Sequence, residues 1–333
     1  MLDGKRILIT GGTGSLGQAV IKRLLTGEMG GPSKIIVFSR DEAKQHAMRL
    51  SFLGKQMATD EVIYGDIQHI LSFQIGDIRN YSAVVQAMCE ADVVINAAAL
   101  KQVPTCEYFP FEAVQTNILG PQNIVRAIRE NRASVELVVV VSTDKACKPI
   151  NVMGMTKAIQ ERLFIEANIH CPRTRFVCVR YGNVIASRGS VIPLFLDQIA
   201  QGGPVTVTVK EMTRFLLSLD GAVDTVFAAM RSALPGETYI PQVPSARVDD
   251  VARVLIGDRD IPIVYTGIRP GEKIHEILIS EAECHRTLER EGYYVICPVL
   301  PELQLLPMSA PLRDEYSSAN ITLDAEGLRE MLT

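Results

Sequence analysis

Residues 6–17 read R-I-L-I-T-G-G-T-G-S-L-G, an apolar segment that runs directly into three glycines with the spacing G-x-x-G-x-x-G. Glycines at this spacing permit a tight turn and let a pyrophosphate approach the backbone at the start of a helix. Because the motif lies between a predicted strand and a predicted helix, it indicates a dinucleotide site. The predicted contacts are Gly11, Thr13, Gly14, Ser15, Leu16 and Gly17.

The pattern of apolar runs predicts the fold class. Runs at residues 6–10, 34–39, 93–96, 137–142 and 175–180 alternate with helical stretches. Continuous Val and Ile runs are typical of parallel strands that are buried on both faces. Strands that alternate with helices imply right-handed crossovers. We therefore predict an α/β fold with a Rossmann-like doubly wound parallel sheet, whose ligands bind beyond the carboxyl ends of the strands.

The regular alternation weakens after about residue 180, where Gly and Pro become frequent. This change predicts a smaller, mixed C-terminal substrate lobe. We predict a dinucleotide-binding domain at residues 1–180. Residues 181–333 would form the substrate lobe and a C-terminal tail, with the chain crossing back to the first domain.

The bulk composition excludes several classes of protein. The chain has 333 residues, of which 47% are apolar and 22% charged, so it can bury a sizeable core. Its formal net charge of -4 gives no general attraction to nucleic acid or to an anionic membrane. The seven cysteines form no C-x-x-C pair, which predicts neither a metal site nor disulfides. Without a recognisable signal peptide or an apolar run of roughly 20 residues, we expect a cytoplasmic protein.

The end of the second predicted strand indicates which dinucleotide binds. It reads Ser39-Arg40-Asp41, and Lys44 follows one helical turn later. An acidic residue directly at this strand end would bind the ribose hydroxyls of NAD, whereas two cations and a hydroxyl suit a 2′-phosphate. We therefore expect NADP, and Asp41 leaves NAD as the less favoured alternative. Further cofactor contacts are expected from Asp77, Ile78, Ala97, Ala98 and Ala99.

A second informative stretch, residues 142–157, reads S-T-D-K-A-C-K-P-I-N-V-M-G-M-T-K. Thr143, Asp144 and Lys145 stand at the carboxyl end of a predicted parallel strand, where such sheets bind ligands. Met153 and Lys157 are four residues apart on a predicted helix and so share one face. An acid and an amine at this edge indicate proton chemistry. The alternative is a charged surface turn.

Motifs along most of the chain carry a family resemblance. T-G-G-T-G-S-L-G, G-D-I-R, N-A-A-A, S-T-D-K-A and R-Y-G-N-V occur in the order found in extended short-chain dehydrogenases/reductases. With R-P-G-E-K at residues 269–273, the chain more closely resembles the bacterial UDP-N-acetylglucosamine 4,6-dehydratases of the polysaccharide-biosynthesis group. The tail at residues 315–320 is similar to the soluble branch that inverts carbon 5. The resemblance implies UDP-N-acetylglucosamine as substrate and a homo-oligomer, either a dimer or a hexamer.

The resemblance also implies roles for the residues at the strand end. Such dehydratases pass a hydride from carbon 4 of the sugar to NADP⁺, eliminate water across carbons 5 and 6, and return the hydride to carbon 6. By this resemblance Lys145 is the base for the carbon 5 proton, and Asp144 is the acid for the departing 6-hydroxyl. Lys157 corresponds to the lysine that binds the nicotinamide ribose.

Met153 departs from the more common pattern of the family, in which tyrosine deprotonates the 4-hydroxyl. Other members of the group also carry methionine, so the substitution does not imply an inactive protein. We expect Thr143 and an ordered water near Lys157 to relay this proton. The alternative is that Met153 only packs against the sugar and that the proton leaves unassisted.

The resemblance places further residues around the cofactor and the substrate. Two arginines suit a pyrophosphate, because each can form fork-like charged hydrogen bonds. Arg188 is expected at the same region or at the cofactor. The expected substrate contacts are Lys101, Glu107, Asn183, Val191, Pro193, Arg214, Arg269 and Glu272, and Lys101, Ser142, Lys157, Tyr181 and Asn183 are also expected at the cofactor.

Several activities remain open from the sequence. A retaining 4,6-dehydratase and a 5,6-dehydratase would use the same substrate. UDP-sugar 4-epimerases generally use the tyrosine that is absent here and lack the Asp-Lys pair, which speaks against that activity. A non-enzymatic nucleotide-sugar or NADP sensor would need none of Asp144, Lys145 and Lys157, yet all three are present.

Overall fold

Uninterrupted Val and Ile runs form the centre of a large sheet, because helices can bury both faces of such strands. The computed structural model describes residues 1–53, 70–130, 132–185, 190–304, 312–320 and 322–332. The strands are β1 (Arg6–Thr10), β2 (Lys34–Ser39), β3 (Leu71–Ile75), β4 (Val93–Asn96), β5 (Leu137–Thr143), β6 (Arg175–Tyr181), β7 (Asn183–Val184), β8 (Val205–Val207), β9 (Thr213–Leu217), β10 (Thr238–Pro241), β11 (Ser245–Arg247), β12 (Ile263–Tyr265), β13 (Ile277–Ile279), β14 (Thr287–Arg290), β15 (Tyr293–Ile296) and β16 (Tyr316–Ser317).

Helices follow most strands of the first half of the chain. The α-helices are α1 (Ser15–Leu25), α2 (Glu42–Leu53), α3 (Tyr81–Met88), α4 (Val103–Tyr108), α5 (Pro110–Val114), α6 (Gly120–Arg129), α7 (Val152–His170), α8 (Val191–Ala200), α9 (Leu219–Ser232), α10 (Val248–Ile256), α11 (Glu281–Cys284) and α12 (Ala325–Leu332). A π-helical turn spans Gln115–Leu119, and 3₁₀ turns span Asp144–Ala146 and Pro301–Leu303.

The large sheet has the order β14-β15-β10-β6-β5-β4-β1-β2-β3. The seven strands from β10 to β3 pair in parallel, and β15 and β14 are antiparallel additions at one edge. The chain moves from β1 towards β3 in one direction and from β4 towards β6 in the other. This reversal opens a crevice at the carboxyl ends of β1 and β4, which is the usual ligand position in such sheets.

Helices cover both faces of the sheet with buried side chains. Val20 and Ile21 of α1 pack with Phe227 of α9 on one face. Ile124 of α6 and Phe164 of α7 pack on the other. Burying side chains of this size contributes about 1.5–3 kcal/mol each. The two apolar layers therefore hold the strand ends at fixed positions.

The later part of the chain adds smaller sheets beside the crevice. Their orders are β11-β9-β7, β12-β8 and β13-β16. Phe195 of α8, Leu216 of β9 and Leu328 of α12 belong to one buried cluster. A doubly wound parallel sheet with a smaller mixed C-terminal part confirms the predicted fold class. The division at residue 180 stays a prediction, and β10, β14 and β15 from beyond it join the large sheet.

The helices give no indication of a membrane span. Among the residues that the structure describes, none of the helices combines the length and the apolar character that crossing a bilayer requires.

Candidate active site

The glycine turn after β1 closely packs three backbone segments. Gly11 has a φ of 67°, and a Cβ there would lie 2.8 Å from the Ala98 nitrogen. A Cβ on Gly17 would lie 2.6 Å from Gly12 Cα. A larger residue at Gly11 would collide with the loop after β4, and one at Gly17 would push α1 away from the glycine turn. The turn thus requires glycine for a physical reason.

The start of α1 is open towards the crevice. Gly14 is its N-cap and offers no side-chain cap, so the first helical N–H groups are available to an anion. Nearby, the Thr10 hydroxyl donates to Asn96 Oδ1 at 2.7 Å and accepts from the Ala98 nitrogen at 3.3 Å. Asn96 Nδ2 is buried and has no partner among the described residues. These groups, together with Thr13, Ser15 and Leu16, form an arrangement that fits a dinucleotide.

The cations after β2 differ in their surroundings. Lys44 Nζ lies 2.6 Å from Asp41 Oδ2, and this hydrogen bond lowers the pKa of Asp41. Arg40 Nη1 lies 3.9 Å from Asp77 Oδ2, and the Arg40 side chain is 57% exposed. Arg40 is therefore the more loosely held of the two cations. Ser39 is buried, and its hydroxyl accepts from Gln45 Nε2 at 3.2 Å.

Thr143, Asp144 and Lys145 form one hydrogen-bonded unit at the carboxyl end of β5. The Thr143 hydroxyl donates to Asp144 Oδ1 at 2.9 Å, and Lys145 Nζ donates to the same oxygen at 3.0 Å. Asp144 is fully buried, and its Oδ2 has no partner among the described residues. Burial raises the pKa of Asp144, despite the opposing effect of Lys145. A buried carboxyl with a raised pKa can hold a proton for transfer.

Lys157 lies on α7 next to this unit and is also buried. Its Nζ donates to the Val141 carbonyl at 2.6 Å and to Gln160 Oε1 at 2.7 Å. Burial lowers the pKa of Lys157 to about 8. At the start of the same helix, a Cβ on Gly154 would lie 2.1 Å from the Lys145 carbonyl oxygen. This contact fixes α7 against the 144–146 turn.

Met153 projects from the first turn of α7 into an apolar cluster. It is 5% exposed and clusters with Cys106 and Ala113, with Leu100 and Val103 packed against them. The side chain thus completes a small core under the crevice. It carries no proton-transfer group, so any proton relay at this position must use other residues.

Two further predicted contact residues form hydrogen bonds with other parts of the chain. The Ser142 hydroxyl donates to Glu161 Oε1, which also accepts from Arg180. Glu107 Oε1 accepts from the Val152 nitrogen at 2.7 Å and so joins α4 to α7. Both residues hold elements of the site together in the structure, and their contacts with ligands stay predictions.

The predicted substrate residues differ in burial and in their partners within the chain. Arg214 is 8% exposed and donates to the carbonyls of Thr213 and Ile274 at 2.7 and 3.1 Å. Arg269 is exposed, and Glu272 Oε2 accepts from Thr208 at 3.4 Å. The remaining ones are Lys101, which is exposed beyond β4, Asn183 of β7, and Val191 and Pro193 of α8.

Most of the remaining predicted site residues lie at the end of a strand or just beyond it. Tyr181 is buried at the end of β6, and burial raises its pKa. Asp77 and Ile78 follow β3, Ala97 and Ala99 flank Ala98 beyond β4, and Arg188 lies outside the described residues.

Sequence reasoning missed Glu276, a buried carboxylate of the site. Glu276 Oε1 lies 3.1 Å from Lys145 Nζ. It comes three residues after Lys273, the last residue of the R-P-G-E-K motif. Nothing in the motif or its spacing indicates that this acid is buried beside Lys145.

Comparison with known proteins places the chain in a family. The profile of the family described as "Polysaccharide biosynthesis protein" matches residues 7–298. A UDP-glucose 4-epimerase of Rickettsia conorii (strain ATCC VR-613 / Malish 7) is 44% identical over 301 residues, covering 89% of this chain and 84% of the relative. A UDP-N-acetylglucosamine 4,6-dehydratase (inverting) of Campylobacter jejuni subsp. jejuni serotype O:23/36 (strain 81-176) is 43% identical over 301 residues, covering 90% and 84%.

Solved structures agree with this placement. Pen from Bacillus thuringiensis has a TM-score of 0.88 at 35% identity, covering 100% of this chain and 98% of that one. DesIV, a dTDP-glucose 4,6-dehydratase from Streptomyces venezuelae with NAD and TYD bound, has a TM-score of 0.68 at 19% identity, covering 81% and 86%. The second similarity concerns the fold alone. This chain belongs to the polysaccharide-biosynthesis family of extended short-chain dehydrogenases/reductases, an enzyme family of nucleotide-sugar dehydratases and epimerases.

Proposed function

We propose that the protein is an NADP-dependent UDP-N-acetylglucosamine 4,6-dehydratase that inverts carbon 5. Its product would be a UDP-4-keto-6-deoxy-N-acetylhexosamine for surface glycan or glycoprotein synthesis in the cytoplasm. The observation that carries the proposal is the pair of fully buried Asp144 and partly buried Lys145 at the carboxyl end of β5. Such a pair supplies an acid and a base for elimination, which an epimerase does not perform.

The residues of the glycine turn, with Arg40 and Lys157, would hold the dinucleotide. The bound cofactor supplies hydride acceptance from carbon 4 and hydride return to carbon 6. The chain's own groups then have to bring about four proton transfers: from the 4-hydroxyl, from carbon 5, onto the departing 6-hydroxyl, and back onto carbon 5 as the hydride returns to carbon 6. Oxidation at carbon 4 makes the carbon 5 proton more acidic, so the order of these transfers follows from the chemistry.

The hydrogen bond from Thr143 to Asp144 supports a path for the first proton. In our proposal, Thr143 and an ordered water near Lys157 take the 4-hydroxyl proton and pass it to Asp144. Asp144 then holds the proton that the 6-hydroxyl needs in order to leave as water. Met153 would contribute only apolar packing to this step. The competing possibility is unassisted proton loss from the 4-hydroxyl.

A UDP-sugar 4-epimerase is the second candidate, because several relatives carry that name, including the one from Rickettsia conorii. The two activities differ in their dependence on carbon 5 chemistry. Epimerisation leaves the carbon 5 hydrogen in place, whereas dehydration exchanges it with solvent. Following the carbon 5 hydrogen and the product also distinguishes both enzymes from a nucleotide-sugar or NADP sensor, which would bind these ligands without forming product.

The decisive experiment is incubation of the purified protein with NADP and UDP-N-acetylglucosamine in deuterated water, followed by NMR. We expect a 4-keto-6-deoxy product with deuterium at carbon 5. Ring coupling constants then distinguish inversion from retention, and a 5,6-alkene would indicate a 5,6-dehydratase. A 4-epimer with its carbon 5 hydrogen retained would contradict the dehydratase proposal.

A further inference from the structure

The carboxyl end of β2 is held in place by a glutamine of the following helix. Gln45 lies on α2 and is 3% exposed. Its Nε2 donates to the carbonyls of Ser39 and Gln74, both at 2.9 Å. The Gly76 nitrogen also donates to the Ser39 carbonyl, at 3.0 Å. Gln45 therefore joins the ends of β2 and β3 to α2 and fixes the position of Ser39.

The same contacts determine how the side-chain amide of Gln45 is oriented. A backbone carbonyl oxygen only accepts hydrogen bonds, so the amide atom that faces the two carbonyls is the donating nitrogen. This nitrogen lies 3.2 Å from the Ser39 hydroxyl oxygen. Because an amide nitrogen donates and does not accept, the hydroxyl hydrogen of Ser39 cannot point at Gln45. The hydroxyl therefore keeps its hydrogen for another acceptor.

The position of Ser39 indicates where that acceptor lies. Ser39 is the last residue of β2, and 9% of its surface is exposed. Ligands of parallel sheets bind beyond the carboxyl ends of the strands. Arg40 follows directly, and its side chain is 57% exposed. A hydroxyl donor next to a guanidinium suits a phosphate group, whose oxygens accept charged hydrogen bonds.

The two carboxylates near this strand end have partners within the chain. Asp41 Oδ1 accepts from the Lys44 nitrogen at 3.0 Å, and Asp41 Oδ2 lies 2.6 Å from Lys44 Nζ. Asp77 accepts from the Arg79 nitrogen at 2.9 Å and from Arg79 Nη2 at 2.7 Å. Each negative charge is thus offset by a cation of the chain, which weakens its repulsion of a phosphate.

We propose that Gln45 is a positioning residue for cofactor selection, which holds Ser39 so that its hydroxyl donates to the 2′-phosphate of NADP. The inference rests on the proposed NADP-dependent function and adds the residue that orients Ser39 as a donor. NAD has a neutral hydroxyl in place of this phosphate, and hydrogen bonds to a neutral group are weaker than those to an ionised one. Loss of the Gln45 amide should therefore weaken NADP binding more than NAD binding.

The test is calorimetric titration of the purified protein with NADP and with NAD, which gives the ratio of their dissociation constants without any turnover. Ser39→Ala removes the donor and should lower the preference for NADP about tenfold, as for one hydrogen bond to a charged group. Gln45→Met keeps the length of the side chain and should lower the preference about threefold. The double variant should match Ser39→Ala, because Gln45 acts through Ser39.

Gln198→Met is the matched control, since Gln198 also joins a helix to a strand through its side-chain amide. Its Nε2 donates to the Thr206 hydroxyl at 2.8 Å, and its Oε1 accepts from the Thr206 nitrogen at 3.0 Å. This variant should leave the ratio of the two dissociation constants unchanged.

Equal weakening of NADP and NAD binding in Gln45→Met would overturn the proposal, because it would show a structural role alone. If Gln45→Met does not fold, Ser39→Ala decides, since an unchanged ratio in that variant also contradicts donation to the 2′-phosphate. A wild type that binds NAD more tightly than NADP would refute the NADP dependence of the proposed function, and this inference with it. Failure of the dehydratase activity is detected separately, by the absence of product in the NMR experiment.

Discussion

The two lysines of the site, buried Lys157 and partly buried Lys145, have opposite surroundings. Lys157 donates to a backbone carbonyl and to the amide oxygen of Gln160, both of them neutral, and burial lowers its pKa to about 8. Burial also acts on Lys145, but Asp144 and Glu276 outweigh it and leave the pKa of Lys145 raised. Burial alone therefore does not make a lysine a base. The charge of its hydrogen-bond acceptors decides whether the amine can be neutral.

The strongest test of this difference is removal of the Lys145 amine. We expect Lys145→Ala to lower deuterium entry at carbon 5 and product formation by about 10³-fold, as for loss of a general base. Reduced cofactor should still form, because hydride removal uses other groups. Lys148→Ala is the control, since Lys148 is an exposed lysine three positions further on that pairs with Glu315 and Glu281. Equal losses in the two variants would contradict the assignment.

The second test concerns the protonation of Lys157 and uses stability. Its pKa falls from 10.5 to about 8 on folding, so the folded state binds fewer protons than the unfolded state between these values. The wild type should therefore gain stability relative to Lys157→Met as pH rises from about 8 to 10.5, by about 3 kcal/mol in total. Chemical denaturation of both proteins across this range measures the difference. If the stability difference between the two proteins stayed constant across this range, Lys157 would have the same protonation state in the folded and the unfolded protein.

The third test asks whether the 4-hydroxyl proton passes through Thr143 to Asp144 or leaves by another route. If it passes to Asp144, Thr143→Ala should slow formation of reduced cofactor about tenfold or more, while Thr143→Ser should retain most of the rate. Stopped-flow absorbance of the reduced nicotinamide follows this step. Full turnover in Thr143→Ala would instead favour unassisted proton loss or a route that uses Lys157 alone.

The smallest expected effect extends the comparison to the cations after β2. Arg40 lies 3.9 Å from its nearest carboxylate, whereas Lys44 is paired with Asp41 at 2.6 Å. Arg40→Ala should therefore weaken NADP binding relative to NAD by about tenfold, in line with one charged hydrogen bond, and Lys44→Ala by less. Calorimetric titration with both dinucleotides gives the ratio. A larger effect of Lys44→Ala would reverse the assignment.

Sequence reasoning covered the fold well, because buried parallel strands carry continuous Val and Ile runs that can be read locally. The glycine turn was predictable for a similar reason, since the spacing G-x-x-G-x-x-G directly after an apolar run can also be read locally. Asp144, Lys145 and Lys157 were identified by their position at one strand end and by family resemblance. The protonation states of these three residues could not be predicted, because they depend on which groups lie next to each side chain in the folded protein.

Glu276 is the site residue that could not be predicted from the sequence. It is 131 residues beyond Lys145 along the chain, and tertiary packing brings its carboxylate to 3.1 Å from the amine of that lysine. The chain by itself determined the sheet, the dinucleotide turn and the residue types at the strand end, because these follow from short-range periodicity and spacing. Tertiary structure decided that Lys157 is buried and that Lys145 also meets the distant Glu276, since pKa values depend on burial and on distances between segments that sequence order does not contain.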